Sequence, residues 1–402
     1  MSSDSLTLIP PAEIPDDVRH AWLEKGWPLA VLERAFALRV RRRDLERWLN
    51  RGKGAIRRIV RDLDRRERLI GGTLRIREAT WNDGEALADL YASSPEGAGE
   101  WEVIVERGPY AFAQFRLQEN VSILVVEDRG VLLAAMAQSA RNTLVGGERV
   151  TVQIESAWRT RTEARGQGLG RLLPTEPRRA LGWEPLARYY YRRGRSRTAG
   201  TVTVHCFPSR PFDGEADGIR LARSSDVSAC VALINRTHHG LDLFRPYSEE
   251  FLCQRLDDPC WGPKPDFWTP VYGWDEYYVL EEGGQIVACA GLWDRGRDMR
   301  EVWHHKASGE RRVVENTALM DFGHAEGRED AMARLIGYLI GLTDTLGRGR
   351  LMAPLEFLPS VAESLASYQP VTETRPIYWQ ATGAAKALNV ELTRPYTDLA
   401  YW

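Results

Sequence analysis

The chain has 402 residues, a hydrophobic fraction of 43% and a formal net charge of −2. Its length gives a prior of roughly two to four domains, and its apolar content suffices for packed cores. The charge balance argues neither for nor against nucleic acid. No stretch reaches the roughly 18 apolar residues of a membrane span.

Lysine occurs only at Lys25, Lys53, Lys264, Lys306 and Lys386, so arginine supplies most of the 54 basic residues. Against that background a single arginine cluster carries little weight. The cysteines (Cys206, Cys230, Cys253, Cys260 and Cys289) form no Cys-x-x-Cys pair. That suits free thiols in a reducing compartment, not a disulfide frame or a zinc site. Acidic residues at Asp4, Glu13, Asp16 and Asp17 interrupt any signal-like apolar run. The expectation is a soluble, cytoplasmic protein.

Residues 1–72 read as a helical domain behind a loose, Pro-rich arm. Asp16 and Asp17 start one helix, and Pro28 starts a second with Leu29, Leu32, Ala35 and Phe36 on one face. A turn then leads to Asp44-Leu45-Glu46-Arg47-Trp48-Leu49. This order resembles a helix-turn-helix. Ile56, Ile59, Val60, Leu63 and Leu69 line a further helix. The run 39–68 is rich in arginine, a face that could contact nucleic-acid phosphates. A solvated face with pairs such as Asp62–Arg66 is the plainer reading. Gly71-Gly72 reads as a hinge.

Residues 73–207 read as strand Leu74–Arg77, helix Asp83–Tyr91, and strands Val121–Glu127 and Val131–Ser139 around an Asp128-Arg129-Gly130 turn. Strand Val150–Trp158 follows, and Thr201–Phe207 is expected to close the unit. A linker spans 208–218. Residues 219–402 then repeat the order. Strand Ile219–Ala222 and helix Asp226–His238 precede a hairpin at Tyr277–Glu281 and Ile286–Trp293. Helix Ala331–Leu346 and strand Arg350–Phe357 follow, with closing strands at Ile377–Gln380 and Tyr396–Tyr401.

The strand Val150–Trp158 runs into Arg165-Gly166-Gln167-Gly168-Leu169-Gly170, then Arg171-Leu172-Leu173. A glycine-rich loop between a strand and a helix start bares backbone N–H groups for a phosphate or pyrophosphate. There is no Gly-Lys-Ser/Thr, so it is no P-loop. The region about 20 residues on, Trp183-Glu184-Pro185-Leu186, lacks the strand-end acid of a dinucleotide fold.

With its flank, Trp158 to Ala164, the loop resembles the Gln/Arg-x-x-Gly-x-Gly/Ala motif of the GCN5-related N-acetyltransferases. Arg165, Gly168 and Gly170 match it, and Thr162 stands where a proline is common. The resemblance implies an α/β fold with a mixed sheet. It implies two tandem GNAT-like domains after the small helical, helix-turn-helix-like one. It also implies acetyl-CoA as co-substrate and no metal. The loop amides of Arg165, Gly166, Gln167, Gly168, Leu169, Gly170 and Arg171 would hold the pyrophosphate. Trp158 and Thr160 would bind the pantetheine arm. The counterpart loop in the second unit, near Gly327 to Ala333, lacks the glycines and carries Glu329 and Asp330. The second unit is therefore read as a degenerate copy.

The family's Tyr-x-x-x-Gly segment is matched by Tyr190 and Gly194, which makes Tyr190 the candidate acid for the leaving thiolate. Glu155, on the strand feeding the loop, is the candidate base, with Gln153 on its face. The histidine pairs His238-His239 and His304-His305 lack a third ligand at metal spacing, although His238 or His239 could line the acceptor cleft. The acceptor is an amine on a small molecule, a peptide or an aminoacyl group. The alternative reading is a nucleic-acid-binding protein, docked through 39–68, whose GNAT units sense acyl-CoA or modify a bound RNA.

Overall fold

The structure is a computed structural model that describes residues 14–38, 40, 42–51, 53–108, 115, 117–167, 169, 173, 187–190, 197–257, 272–381, 392 and 394–399. Four helices come first: α1 (Asp16–Glu24), α2 (Leu29–Ala37), α3 (Arg42–Leu49) and α4 (Ile56–Ile70). Pro15 and Pro28 sit at the helix starts, where a missing N–H costs nothing. The apolar stripes close on Trp22, Trp27, Leu32, Leu45, Trp48, Ile59 and Leu63. The Trp22 and Trp27 rings meet edge-on at 4.8 Å, and the Trp22 indole donates to Pro28 O at 3.1 Å. α2 and α3 are short and follow one another in the chain.

The next part runs β1 (Leu74–Glu78), α5 (Gly84–Ala92), β2 (Glu96–Ala98), β3 (Trp101–Arg107), β4 (Ser122–Asp128), β5 (Val131–Val145), β6 (Glu148–Thr160), β7 (Ala187–Tyr190) and β8 (Arg197–Pro208). The second half runs β9 (Ile219–Leu221), α6 (Val227–Thr237), α7 (Glu249–Asp257), β10 (Tyr277–Glu282), β11 (Gln285–Trp293), β12 (Met299–His305), β13 (Arg311–Val314) and β14 (Asn316–His324). It ends with α8 (Glu329–Thr345), β15 (Arg350–Ala353), α9 (Pro359–Ser364) and β16 (Val371–Ala381). No helix among the described residues is long and apolar enough to cross a membrane.

One 12-stranded sheet runs β1-β4-β5-β6-β7-β16-β8-β15-β14-β11-β10-β9. Read from either edge it repeats. β1, β4, β5, β6, β7 and β16 correspond to β9, β10, β11, β14, β15 and β8. The only parallel pairs among its described strands, β6–β7 and β14–β15, occupy equivalent places. Register irregularities recur too: Val126/Glu127 matches Leu280/Glu281, and Ala135/Ala137 matches Cys289/Gly291.

One ionic clip is also duplicated. Arg77 binds Asp83 and Glu127, both at 2.7 Å. Arg220 binds Asp226 at 2.6 Å and Glu281 at 2.8 Å. The Arg220 guanidinium holds the Asp226 carboxyl below the usual carboxylate range. Each clip ties the first strand of a half to the start of its first helix and to the next strand. This is a tandem duplication, as the repeated motif order implied.

The structure departs from the sequence reading in three places. The strand expected at Thr201–Phe207 forms within β8, but it does not close its own half. β8 pairs with β15 and β16, and β16 lies beside β7, so the halves exchange their closing strands. Residues 396–399 form no strand, and Pro395 makes an isolated bridge with Asp242. A second sheet, β13-β12-β3-β2, joins the halves through β12 and β3, with Val302 opposite Ile104. The linker 208–218 lies against α8. There Gly341 is required, because a Cβ would come within 2.6 Å of the Phe212 Cβ.

Because β7 takes β16 as its neighbour, residues 1–218 alone leave a strand edge exposed. That fragment is expected to aggregate or self-associate in size-exclusion chromatography. A folded monomer would show that the exchange is dispensable.

Asp298, just before β12, is 4% exposed, and its carbonyl accepts the Gly108 N–H at 3.0 Å. Burial pushes its carboxyl up to about 7. A carboxyl raised in the folded state binds its proton more tightly there. Its stabilising share is therefore present below the unfolded value near 4 and is lost as pH climbs through about 7. Asp298→Asn should match the parent near pH 4 and exceed it by about 2–4 kcal/mol at pH 8 in urea unfolding. A pH-independent difference would refute the assignment.

Candidate active site

β6 carries the first element of the site. Ala157 sits at φ +51 within the strand, at the register shift against β5. Such a bulge bends the strand and breaks its pairing. The Tyr91 hydroxyl donates to the Ala157 carbonyl at 2.9 Å and pins the bend. The described pairing of β6 with β7 covers Val152↔Ala187 to Glu155↔Tyr190 and ends there. Beyond it, the β6 edge through Trp158 and Thr160 has no strand partner on that side among the described residues. A strand edge left unpaired is a place where an extended ligand arm can add as a strand.

At the last paired level a polar row crosses the sheet. Ser122 lies opposite Gln138, Gln138 opposite Glu155, and Glu155 opposite Tyr190. Ser122, Gln138 and Glu155 are buried, Glu155 to 1% exposure. The Gln153 amide, also buried, donates to the Glu155 carboxylate at 3.3 Å. Neither amide atom of Gln138 has a hydrogen-bond partner among the described residues. A buried amide left open in this way calls for a ligand group or water to complete it. In the second half the equivalent positions are Leu292 opposite Leu319, both buried. One copy of the fold therefore carries hydrogen-bonding groups where the other is plain core.

The glycine-rich loop lies at the end of the open edge. Gly166 adopts φ +79, a conformation that favours glycine. Leu169 and Leu173, four apart, are buried against Leu74, Val126 and Met136. Arg165 braces the loop, donating to Pro95 O at 2.5 Å and to Thr160 O at 3.4 Å. Gly168, Gly170 and Arg171 lie outside the described residues, as do the Tyr190 side chain and Gly194.

α4 reaches across to this loop. Arg61 donates to Gly166 O at 3.0 Å and Arg65 to Gln167 O at 3.4 Å. Arg68 donates to the Gln167 side-chain oxygen at 3.0 Å and pairs with Asp128. Part of the basic run 39–68 is thus internal, spent on loop carbonyls and neighbouring carboxylates. The sequence reading missed this role.

In the second half β14 passes to α8 through 325–328. Arg328 pairs there with Glu282 and, at 3.2 Å, with Asp330. The Arg328 contact holds the Asp330 carboxyl low. The helix start is occupied by the chain's own carboxylates, which leaves no welcome for a pyrophosphate. His238 does not line a cleft. It is fully buried among Phe244, Phe322, Phe357 and Tyr396, and burial pushes it down to about 4.

The same architecture is found in Saccharomyces cerevisiae N-myristoyltransferase. One structure, with bound myristoyl-CoA and inhibitors, matches at a TM-score of 0.59 and 10% identity, over 81% of this chain and 87% of that one. Another, with bound myristoyl-CoA, matches at 0.58 and 11% over 76% and 82%. A GCN5-related N-acetyltransferase from Sphaerobacter thermophilus matches at 0.46 and 15% over 82% and 99%. No family model and no curated protein matches the sequence. The fold is that of N-myristoyltransferase.

The duplication provides its own control. Gln138→Leu with Glu155→Leu gives the first half the core residues of the second. Replacing buried polar groups with apolar ones of similar size is commonly neutral or stabilising. The double variant should keep or raise its melting temperature. A fall of roughly ten degrees would mark the row as structural support, not a site.

Proposed function

We propose that the protein is an acyl-CoA-dependent N-acyltransferase that moves an acetyl group from acetyl-CoA to an amine. The carrying observation is the β6 edge beyond Glu155, unpaired on that side among the described residues, which joins the buried polar row to the glycine-rich loop. The pyrophosphate rests on the amides of residues 165–171. The pantetheine arm lies along β6 at Trp158 and Thr160 as an added strand, which brings the thioester beside Glu155 and Tyr190.

The amine must lose a proton to attack the thioester carbon. Glu155 accepts it, directly or through one water. The C–N bond forms as the carbonyl π electrons move to oxygen. Collapse of that intermediate breaks the C–S bond. Tyr190 gives its proton to the departing CoA sulfur and is later reprotonated from solvent. A phenol has a pKa near 10, so it is protonated at neutral pH. The acceptor is a small amine, a peptide or an aminoacyl group. The observations favour catalysis over the nucleic-acid reading, because Arg61, Arg65 and Arg68 face the loop.

The direct test is thiol release from acetyl-CoA against pooled amines, with products identified by mass. Release that never exceeds hydrolysis in any pool would defeat the proposal. Calorimetry should give one acetyl-CoA site per chain, and two equal sites would return the second half to active duty. Tyr190→Phe should lower kcat roughly 10²–10⁴-fold with little change in cofactor affinity. Tyr189→Phe is the control. If only the control loses turnover, the acid is Tyr189.

A further inference from the structure

We propose that Arg57 and Arg61 of α4 bind the 3′-phosphate of the CoA nucleotide, so that the N-terminal helical domain completes the cofactor site. The proposal rests on the acyl-CoA reading above. Three observations carry it.

The first is position. Arg61 touches the glycine-rich loop at Gly166 O, 3.0 Å away. Arg57 lies one turn earlier on the same helix face. In CoA the 3′-phosphate sits on the ribose next to the pyrophosphate, so its receptor must flank the pyrophosphate loop. α4 flanks that loop.

The second is space. An open cleft of about 510 Å³ is lined, among the described residues, by Ile56, Arg57, Val60 and Arg61. Two guanidinium groups and two aliphatic side chains suit a phosphorylated ribose with its base. The cations take the phosphate and the apolar stems take the ring faces.

The third is charge. Three nearby arginines are neutralised: Arg34 by Asp64 and Glu67, Arg65 by Asp62, and Arg68 by Asp128. Arg57 and Arg61 pair with no carboxylate among the described residues. Two uncompensated cations one helical turn apart repel each other mildly, and a dianionic phosphate monoester between them removes that penalty. Arginine forks also bind phosphate oxygens in bidentate fashion.

The test compares CoA with 3′-dephospho-CoA by calorimetry on the full chain. The parent should prefer CoA by roughly tenfold or more, the scale of a charge-assisted contact. Arg57→Gln, an exposed position that does not touch the loop, should remove most of that preference and leave dephospho-CoA affinity unchanged. The unchanged arm also reports that the variant is folded. Arg61→Gln should weaken both ligands, since it also frees Gly166. Equal binding of the two ligands by the parent would overturn this proposal and leave the acyl-CoA reading standing. No binding of either ligand would overturn both. Retention on immobilised RNA that Arg57→Gln abolishes, with the CoA preference intact, would assign the arginines to nucleic acid instead.

Discussion

The antiparallel pairing of β8 with β16 holds the molecule together. These strands lie at the centre of the sheet, with Thr374 opposite Thr203 and their hydroxyls 3.1 Å apart. Each strand closes the half to which it does not belong in sequence. Neither half can complete its hydrogen bonding alone, and every strand of the 12-stranded sheet is linked to this pair through the ladder. A long-range pairing of this kind is slow to form, because loop closure must precede the contacts that reward it. Once formed it fixes β7 between β6 and β16, with Tyr190 opposite Glu155.

The two halves treat an equivalent bulge in opposite ways. In β6 the positive-φ residue is Ala157, and nothing from its own side chain enters the gap. In β14 it is Asp321, at φ +47. Its carboxylate is buried and takes Arg255 at 2.8 Å and the Tyr247 hydroxyl at 2.6 Å. Arg255 also reaches Asp398 at 3.2 Å and Leu117 O in the first half at 3.0 Å. Burying these charges is costly, and the repayment is full mutual satisfaction. The network plugs the second bulge, ties the C-terminal segment to α7 and carries a contact back to the first half. The same backbone device thus carries an alanine in one copy and seats a lock in the other.

Much of this was legible locally. Val121–Glu127 and Ile286–Trp293 have strand composition around tight turns, and the glycine-rich loop stands out where a strand meets a helix. The strand exchange was not legible, because partner choice between β8, β15 and β16 leaves no mark in a local window. β12 was missed since Met-Arg-Glu-Val-Trp-His-His hides its alternation under charge and aromatic bulk. β14 was missed because it is buried along its length and lacks a period of two. In the site, Glu155 was singled out from its place on the strand. Gln138 was overlooked, although a lone amide in the apolar run Val131–Ala137 is the kind of local inconsistency that marks function.

The N-terminal arginines raise a question of division of labour. By composition α4 looks like a solvated or nucleic-acid-facing helix, and Gly71-Gly72 looks like a hinge that would free it. Gly72 does adopt φ +70, but the helix beyond it is not free. Arg61, Arg65 and Arg68 each reach the glycine-rich loop, at positions whose carbonyls and amide oxygen need donors. A loop that presents N–H groups to an anion must turn its carbonyls elsewhere, and in a short exposed turn water would satisfy them only loosely. Guanidinium groups satisfy them and add positive charge beside the loop. Docking of the helical domain and order in the loop are then one equilibrium. An anion that stiffens the loop tightens the helix against it, and a loosened helix leaves the loop less organised for the anion. The second half, whose helix start carries the Arg328–Asp330 ion pair, needs no such partner.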